Sequence, residues 1–313
     1  MTTTLFVPGT PETLDAWAKA LAAHDLRVDR GRIEGHGLDG SIEHVPNDDH
    51  FGEAFEPLPT LTDAQRRAVD EVPGALILTL EQPLQTIAKP LAAMVAALGA
   101  CGALAVRIEE SKLGYPVDRW VELLGSGDPW ALYRLAVLVL GEDDGALASC
   151  GMHVFALPDA RVKANAREAN ELLGTLNVFQ LAEDPVLRSG DTFSPDAKTP
   201  KRVLERNPDT GYPSDHPCHN PFGVWHLGDE GGKARPKSDL DFVFIPPLFP
   251  LLLAAERKKG TPLTKAEVEA LRDNAVCMSM EPKDARALER SRGYADIDPE
   301  RAFEQWQLLR PPS

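Results

Sequence analysis

Cysteine is scarce in this sequence, four in 313 residues. Cys101, Cys150, Cys218 and Cys277 are spread too widely to suggest a disulfide scaffold. Cys101, Cys150 and Cys277 sit in apolar strings, where a thiol packs as a small hydrophobe, and a reducing compartment fits that usage. Long hydrophobic runs are also missing. The longest, Phe242 to Leu253, is twelve residues broken by Pro246, Pro247 and Pro250, short of the roughly 20 that a spanning helix needs. Residues 1 to 20 open on polar Met-Thr-Thr-Thr without a basic segment and apolar core behind it. We therefore expect no secretion signal, no membrane span and a cytoplasmic location. Basic residues are outnumbered, 33 Lys and Arg against 48 Asp and Glu for a net charge of −15. With no basic stripe, that balance excludes general binding to nucleic acid or anionic membrane. It is compatible with an acidic face that meets a basic protein. No dinucleotide fingerprint, P-loop, nucleophile elbow or H-E-x-x-H stands in a suitable context, so the common cofactor and hydrolase mechanisms lose their support.

What is present is an ordinary folded-protein composition, 43% hydrophobic and 26% charged, with 27 prolines that imply rigidified loops. The length is about twice the usual domain of ~150 residues. A change to proline-punctuated polar texture over 158–215 places a lobe boundary near 195, giving lobes of 1–195 and 196–313. Leu5-Phe6-Val7 reads as a strand, and Thr10-Pro11-Glu12 as the cap of a helix running to about His24. Residues 25–60 read as hairpin or loop. Thr62 with Gln65 forms a capping box, and Ala75–Leu80 is a buried strand. Leu84, Ile87, Leu91, Met94, Val95 and Leu98 keep helical spacing, with Pro90 kinking that helix or marking its true start. Strand Ala103–Ile108, helix Val117–Leu124, a turn of helix at Trp130 and strands Leu135–Leu140 and Ala148–Leu157 follow. Beyond the boundary come strand Leu240–Ile245, a helix boxed by Thr264 and Glu267, and a last helix introduced by Asp298-Pro299 and carrying Trp306. The fold class expected is α+β, a mixed β-sheet covered by helices with a loop-rich α+β C-terminal lobe.

The densest chemistry lies in Asp215-His216-Pro217-Cys218-His219-Asn220-Pro221-Phe222-Gly223-Val224-Trp225-His226, which holds three of the eight histidines and one cysteine. His216, Cys218, His219 and His226 are side chains of the kinds zinc prefers. Ligands at i, i+2 and i+3 around a proline do not easily converge, however, and the spacing matches no structural zinc motif. A turn-rich loop is the plainer reading, with Pro217 and Pro221 fixing φ and Gly223 allowing a bend. As a partner-contact loop, the same stretch would use Phe222 and Trp225 as anchors beside Asp215.

Elsewhere, Ser149-Cys150-Gly151-Met152-His153 sets a thiol near a histidine. In a strand, residues 150 and 153 point to opposite faces, so they form no nucleophile–base pair without a bulge, and His153 is expected as a half-buried strand residue. Glu109 and Glu110 directly follow a strand, where α/β enzymes often place catalytic groups. The five tryptophans read as core or interface anchors.

Two passages carry a resemblance: GALASCGMHVFALPDARV at Gly145 to Val162, with Ser189 to Phe193 downstream, and Leu263 to Gln307, with LTKAEVEALRDNAVCMSM and RGYADIDPERAFEQWQ. They resemble uncharacterised bacterial proteins of unknown-function families, some associated with polymorphic-toxin and contact-dependent effector loci. The resemblance covers most of 75–313 and brings no catalytic residues with it. It implies a cytosolic, non-enzymatic protein-binding module, an immunity protein that neutralises a basic toxin by direct binding and needs no cofactor. The alternative expectation is a metal-assisted hydrolase or toxin effector using His216, Cys218, His219 and His226, with zinc as the ion those side chains suit.

Overall fold

β1 (Thr3–Gly9) is a short run in which almost every residue is buried, and its pairing explains why. Our computed structural model of the chain, which describes residues 2–47, 50–56, 60–196, 199–228, 241–294 and 296–310, places β1 inside a seven-stranded sheet. The first helix, α1 (Leu14–Leu21), starts later than the sequence implies. Thr13 caps it by accepting from the Ala16 amide at 3.2 Å. The Thr10 amide donates instead to the Gly102 carbonyl, which ties Thr10 into the preceding turn. There follow β2 (Arg27–Asp29), β3 (Arg32–Gly35), β4 (Leu38–Pro46), α2 (Asp63–Asp70), β5 (Gly74–Leu80), α3 (Leu84–Ala100), β6 (Ala105–Ile108), β7 (Gly114–Pro116), α4 (Val117–Gly125), α5 (Pro129–Ala136) and β8 (Leu138–Gly141).

The chain divides into two units, each assembled from separate stretches. Met1–Leu140, Ser149–Asp159 and Pro208–Gly223 make the first, and Gly141–Ala148, Ala160–Asn207 and Val224–Ser313 the second.

In the first unit the sheet order is β2-β3-β4-β5-β1-β6-β7. β1 runs antiparallel to β5, from Thr3 opposite Leu80 to Gly9 opposite Gly74. The residues expected at helical spacing in α3 are the ones it buries, Leu84, Ile87, Leu91, Met94, Val95 and Leu98. Pro90 lies inside α3 and does not begin it. One core cluster gathers Phe6, Phe51, Phe55, Leu61 and Val69. Its two ring contacts, Phe6 with Phe51 and Phe55, have centroids 5.0 and 6.2 Å apart. The strand expected at Leu135–Leu140 is replaced at its first two residues, Leu135 and Ala136, by the end of α5. Pro129 opens that helix and Asp128 caps it through the Trp130 amide. An apolar string this short suits a buried helix face as well as a strand, and the cap decides for the helix.

The second unit continues with β9 (Leu147–Cys150) and β10 (Asp159–Val162), whose residues Ser149, Cys150 and Asp159 belong to the first unit, and then α6 (Ala166–Glu183), β11 (Thr192–Ser194), β12 (Arg202–Asn207), β13 (Val224–Leu227), β14 (Asp241–Ile245), α7 (Leu248–Lys259), α8 (Lys265–Asn274), β15 (Val276–Met280), α9 (Pro282–Arg292) and α10 (Ala302–Leu309). Its strands follow the order β14-β15-β11-β12-β13-β10-β9. β14 pairs antiparallel with β15, which continues antiparallel onto β11. The proline-punctuated stretch 158–215 contains α6, an 18-residue helix capped by Asn165 that buries Leu172, Leu173, Leu176 and Phe179. The core of α7, α8 and α10 closes around Phe244, Leu248, Leu252, Val268 and Trp306, and the Trp306 indole donates to Glu256 at 3.2 Å. The fold is α+β, as expected. No helix among the described residues is long and apolar enough to cross a membrane.

Candidate functional site: a buried thiol pair

The strand expected over Ala148–Leu157 stops at Cys150. Gly151 takes a φ of 127°, Met152–Phe155 form a single turn of 3-10 helix, and Ala156 closes it in the left-handed region. Glycine is required at 151 because an added Cβ would lie 2.2 Å from the Ala136 carbonyl oxygen. Asp159 holds the turn from beyond its end. Its Oδ1 accepts from the Ser149 hydroxyl at 2.9 Å and from the Met152 amide at 3.2 Å. The opposite-face argument against Cys150 and His153 therefore does not apply. His153 is also more buried than a half-exposed strand position would make it, at 6% exposure.

Asn220 brings the distant loop to the same place. Its side-chain amide donates to Asp159 Oδ2 at 2.6 Å and to the Leu157 carbonyl at 3.0 Å, while its backbone amide donates to Asp209 at 2.8 Å. Two residues before Asn220, Cys218 reaches the Glu110 carbonyl with its sulfur at 3.7 Å, and the Cys150 sulfur reaches the same oxygen at 3.8 Å. The two sulfurs thus share one acceptor, the Glu110 carbonyl. Cys150 is buried and Cys218 partly exposed.

Glu110, just beyond β6, is itself buried at 8% exposure. Its Oε1 accepts from the Thr4 amide of β1 at 2.8 Å. Among the described residues, Glu110 Oε2, the Ser111 hydroxyl and both ring nitrogens of His153 have no hydrogen-bond partner. The nearest acid to His153 is Asp159, with Nδ1 and Oδ2 4.0 Å apart. Glu109 points to different business, an ion-pair set with Arg107 at 2.6 Å and Lys112 at 2.9 Å.

The electrostatics separate the two sulfurs. The Cys218 thiol is held below its ordinary range, first by the neighbouring Cys150 thiol, then by the positive potential of His153 and Lys112, against the opposing effects of burial and Asp159. Cys150 is pushed up by the neighbouring Cys218 thiol and by burial. Burial likewise raises the Glu110 carboxyl. Cys218, the partly exposed sulfur, is thus the thiolate-prone member, and buried Cys150 the one that keeps its proton.

The other residues singled out in the sequence take separate places. His216 is exposed and stacks on Tyr212, ring centroids 4.6 Å apart, while its Nδ1 accepts from the Cys218 amide at 3.1 Å. His219 Nδ1 lies 3.2 Å from the Tyr212 carbonyl and 3.7 Å from Asp209. Asp215 is exposed and Phe222 partly buried. Trp225 and His226 belong to β13 in the second unit. Trp225 is buried at 2% exposure, donating its indole N–H to Gln180 at 3.1 Å beneath the Arg206 guanidinium. Burial and Arg161 lower the His226 imidazole below its usual value. Among the described residues, no group of three or more His, Cys, Asp or Glu side chains is arranged to hold a metal ion.

Sequence reasoning missed the pairing of Cys150 with Cys218, treating the first as packing and the second as a metal candidate. No local spacing joins them, since the bonds of Asn220 and Asp159 create the proximity. The one usable signal was Gly151 beside Cys150, which marks a break in an otherwise apolar strand. Comparison with family models, with curated proteins and with solved structures finds no match for this chain.

Proposed function

We propose that the protein is a thiol-based redox protein in which Cys218 and Cys150 cycle between a dithiol and a disulfide. The observation that carries this reading is the convergence of both sulfurs on the Glu110 carbonyl, at 3.7 and 3.8 Å. In the forward direction the Cys218 thiolate attacks an oxidised substrate of the disulfide or hydroperoxide class. Cys150 then attacks Cys218 and displaces the group bound there. The pair thereby gives two electrons and two protons to the substrate, and an external thiol restores the dithiol. A reducing compartment such as the cytoplasm suits a pair that must be returned to the dithiol form.

The test is oxidation of the whole protein with oxidised glutathione and, separately, with hydrogen peroxide, followed by peptide mass spectrometry without reduction. A Cys150–Cys218 cross-linked peptide, with Cys101 and Cys277 still alkylatable, is expected. Oxidation distributed equally over all four cysteines, or a Cys150 and Cys218 that stay free under both oxidants, would overturn the reading.

A protein-binding role, an immunity protein against a basic toxin, is favoured by a separate observation, the net charge of −15. Mass spectrometry of proteins that co-purify from the native host at low salt is expected to give one stoichiometric basic partner, lost at high salt. Purification of the chain alone under both conditions would remove this second reading.

A further inference from the structure

Resting on the thiol-pair reading, we infer that the oxidised substrate is a small hydroperoxide, hydrogen peroxide or a short organic hydroperoxide, with His153 supplying the proton that the departing oxygen needs. The two substrate classes differ in their leaving groups. Thiolate attack on a disulfide expels another thiolate, which leaves at neutral pH without help. Attack on a hydroperoxide expels hydroxide or alkoxide, a far stronger base, and is slow unless an acid protonates it. A site for disulfide exchange alone therefore has no departing oxygen to protonate.

This site has proton-carrying groups, held in a buried environment. His153 is 6% exposed and neither ring nitrogen has a hydrogen-bond partner among the described residues. Its Nδ1 lies 4.0 Å from Asp159 Oδ2, the oxygen that accepts from Asn220 at 2.6 Å, two residues along the chain from Cys218. Glu110 Oε2 and the neighbouring Ser111 hydroxyl are also buried and unpartnered. Buried polar atoms left unpaired are costly in a fold and are a recurrent mark of a working site. Access points the same way. Cys218 is only partly exposed and Cys150 is buried, an arrangement that a two-oxygen molecule enters more readily than the disulfide of a folded protein.

The chemistry balances. The Cys218 thiolate attacks the terminal peroxide oxygen, the O–O bond breaks, and the other oxygen leaves with the proton from His153 as alcohol or water. Cys218 is now a sulfenic acid. The Cys150 thiol attacks that sulfur, the S–O bond breaks, and water departs with the Cys150 proton, leaving the disulfide. The proton lost by the Cys218 thiol at the start returns to His153 from solvent, and an external dithiol such as dithiothreitol reduces the disulfide.

The experiment compares second-order rates of Cys218 oxidation in the full-length protein by hydrogen peroxide, by cumene hydroperoxide and by oxidised glutathione. Expected is a peroxide rate about 100-fold above that of free cysteine at the same pH, the scale of an added general acid. Cys150→Ser should then accumulate a dimedone-reactive sulfenic acid on Cys218, which wild type converts to the disulfide. His153→Gln should slow the peroxide reactions at least about tenfold more than the glutathione reaction, a split that a merely structural role would not produce. A peroxide rate equal to that of free cysteine, with glutathione still driving the Cys150–Cys218 bond, overturns the hydroperoxide assignment and leaves the thiol-pair reading intact. No cross-link under any of the three oxidants overturns both. Equal losses at His153→Gln for both oxidants remove His153 from the proton step.

Discussion

Cys218 and Glu110 carry opposite shifts, and each has a measurable consequence. For Cys218 the reactive form is the thiolate, whose fraction rises with pH through the thiol's own value, so a lowered value moves the rise to lower pH. Burial moves Cys101 and Cys277 the other way. Iodoacetamide at pH 7 is therefore expected to modify Cys218 to completion before Cys101 or Cys277. Cys150→Ala, which removes the neighbouring thiol, should move the alkylation profile of Cys218 to higher pH. An unchanged profile in Cys150→Ala would mean that the Cys150 thiol does not set Cys218 reactivity. For Glu110 the consequence is in stability. Its carboxyl keeps a proton more firmly in the fold than in the unfolded chain because burial disfavours the charge. That contribution is complete below the ordinary value of 4.5 and is lost as pH rises through the raised folded value. Glu110→Gln keeps an acceptor for the Thr4 amide and carries no charge. Urea denaturation is expected to find it more stable than wild type at pH 8, with the gap closing as pH falls below 4.5. A variant less stable than wild type at pH 8 would show that the carboxylate is stabilised in the fold.

At the scale of elements, the turn after β9 depends on one residue that no other type can replace without movement. Gly151→Ala adds a Cβ 2.2 Å from a backbone carbonyl at a φ of 127°, where side chains are strained and the obstacle is not a flexible tip. A loss of about 2–4 kcal/mol in urea denaturation is expected, together with alkylation of Cys218 at the rate of an ordinary thiol. A loss under about 0.5 kcal/mol, the range of neutral surface changes, would mean that the turn relaxes freely. The same comparison explains what was readable in the sequence. The capping boxes of Thr62 with Gln65 and Thr264 with Glu267 are both present in the fold because the atoms that make them lie within three residues. β5 and α3 were readable because burial on one or both faces imposes a period on the sequence. The turn at Gly151 was not, because the bonds that fix it come from Asp159 and Asn220. α6 was passed over because prolines before and after it dominated the texture of 158–215, although Asn165 and the spacing of Leu172, Leu176 and Phe179 were available as signals.

For the whole molecule, the thiol pair would be a long-range tie. A bond between Cys150 and Cys218 encloses a long stretch of chain that includes β10, α6, β11 and β12. Both sulfurs already converge on the Glu110 carbonyl in the dithiol form, and a bond between them would take from the unfolded chain much of its freedom. The loop-closure relation puts the gain at about 4 kcal/mol for a loop of this length, before any strain in the bond. Equilibrium urea denaturation of the reduced protein and of the glutathione-oxidised protein is expected to show a higher midpoint for the oxidised form. The cross-link should also lower the urea slope, since a tethered unfolded chain exposes less surface. A lower midpoint on oxidation would mean that forming the bond distorts the turn at Gly151 by more than the closed loop stabilises. The disulfide would then be the strained, readily reduced member of the couple. That outcome remains consistent with a redox cycle, in which strain raises the potential, whereas a higher midpoint makes the disulfide the resting form under oxidising conditions. The sign of the shift therefore fixes the direction in which the pair drives electrons.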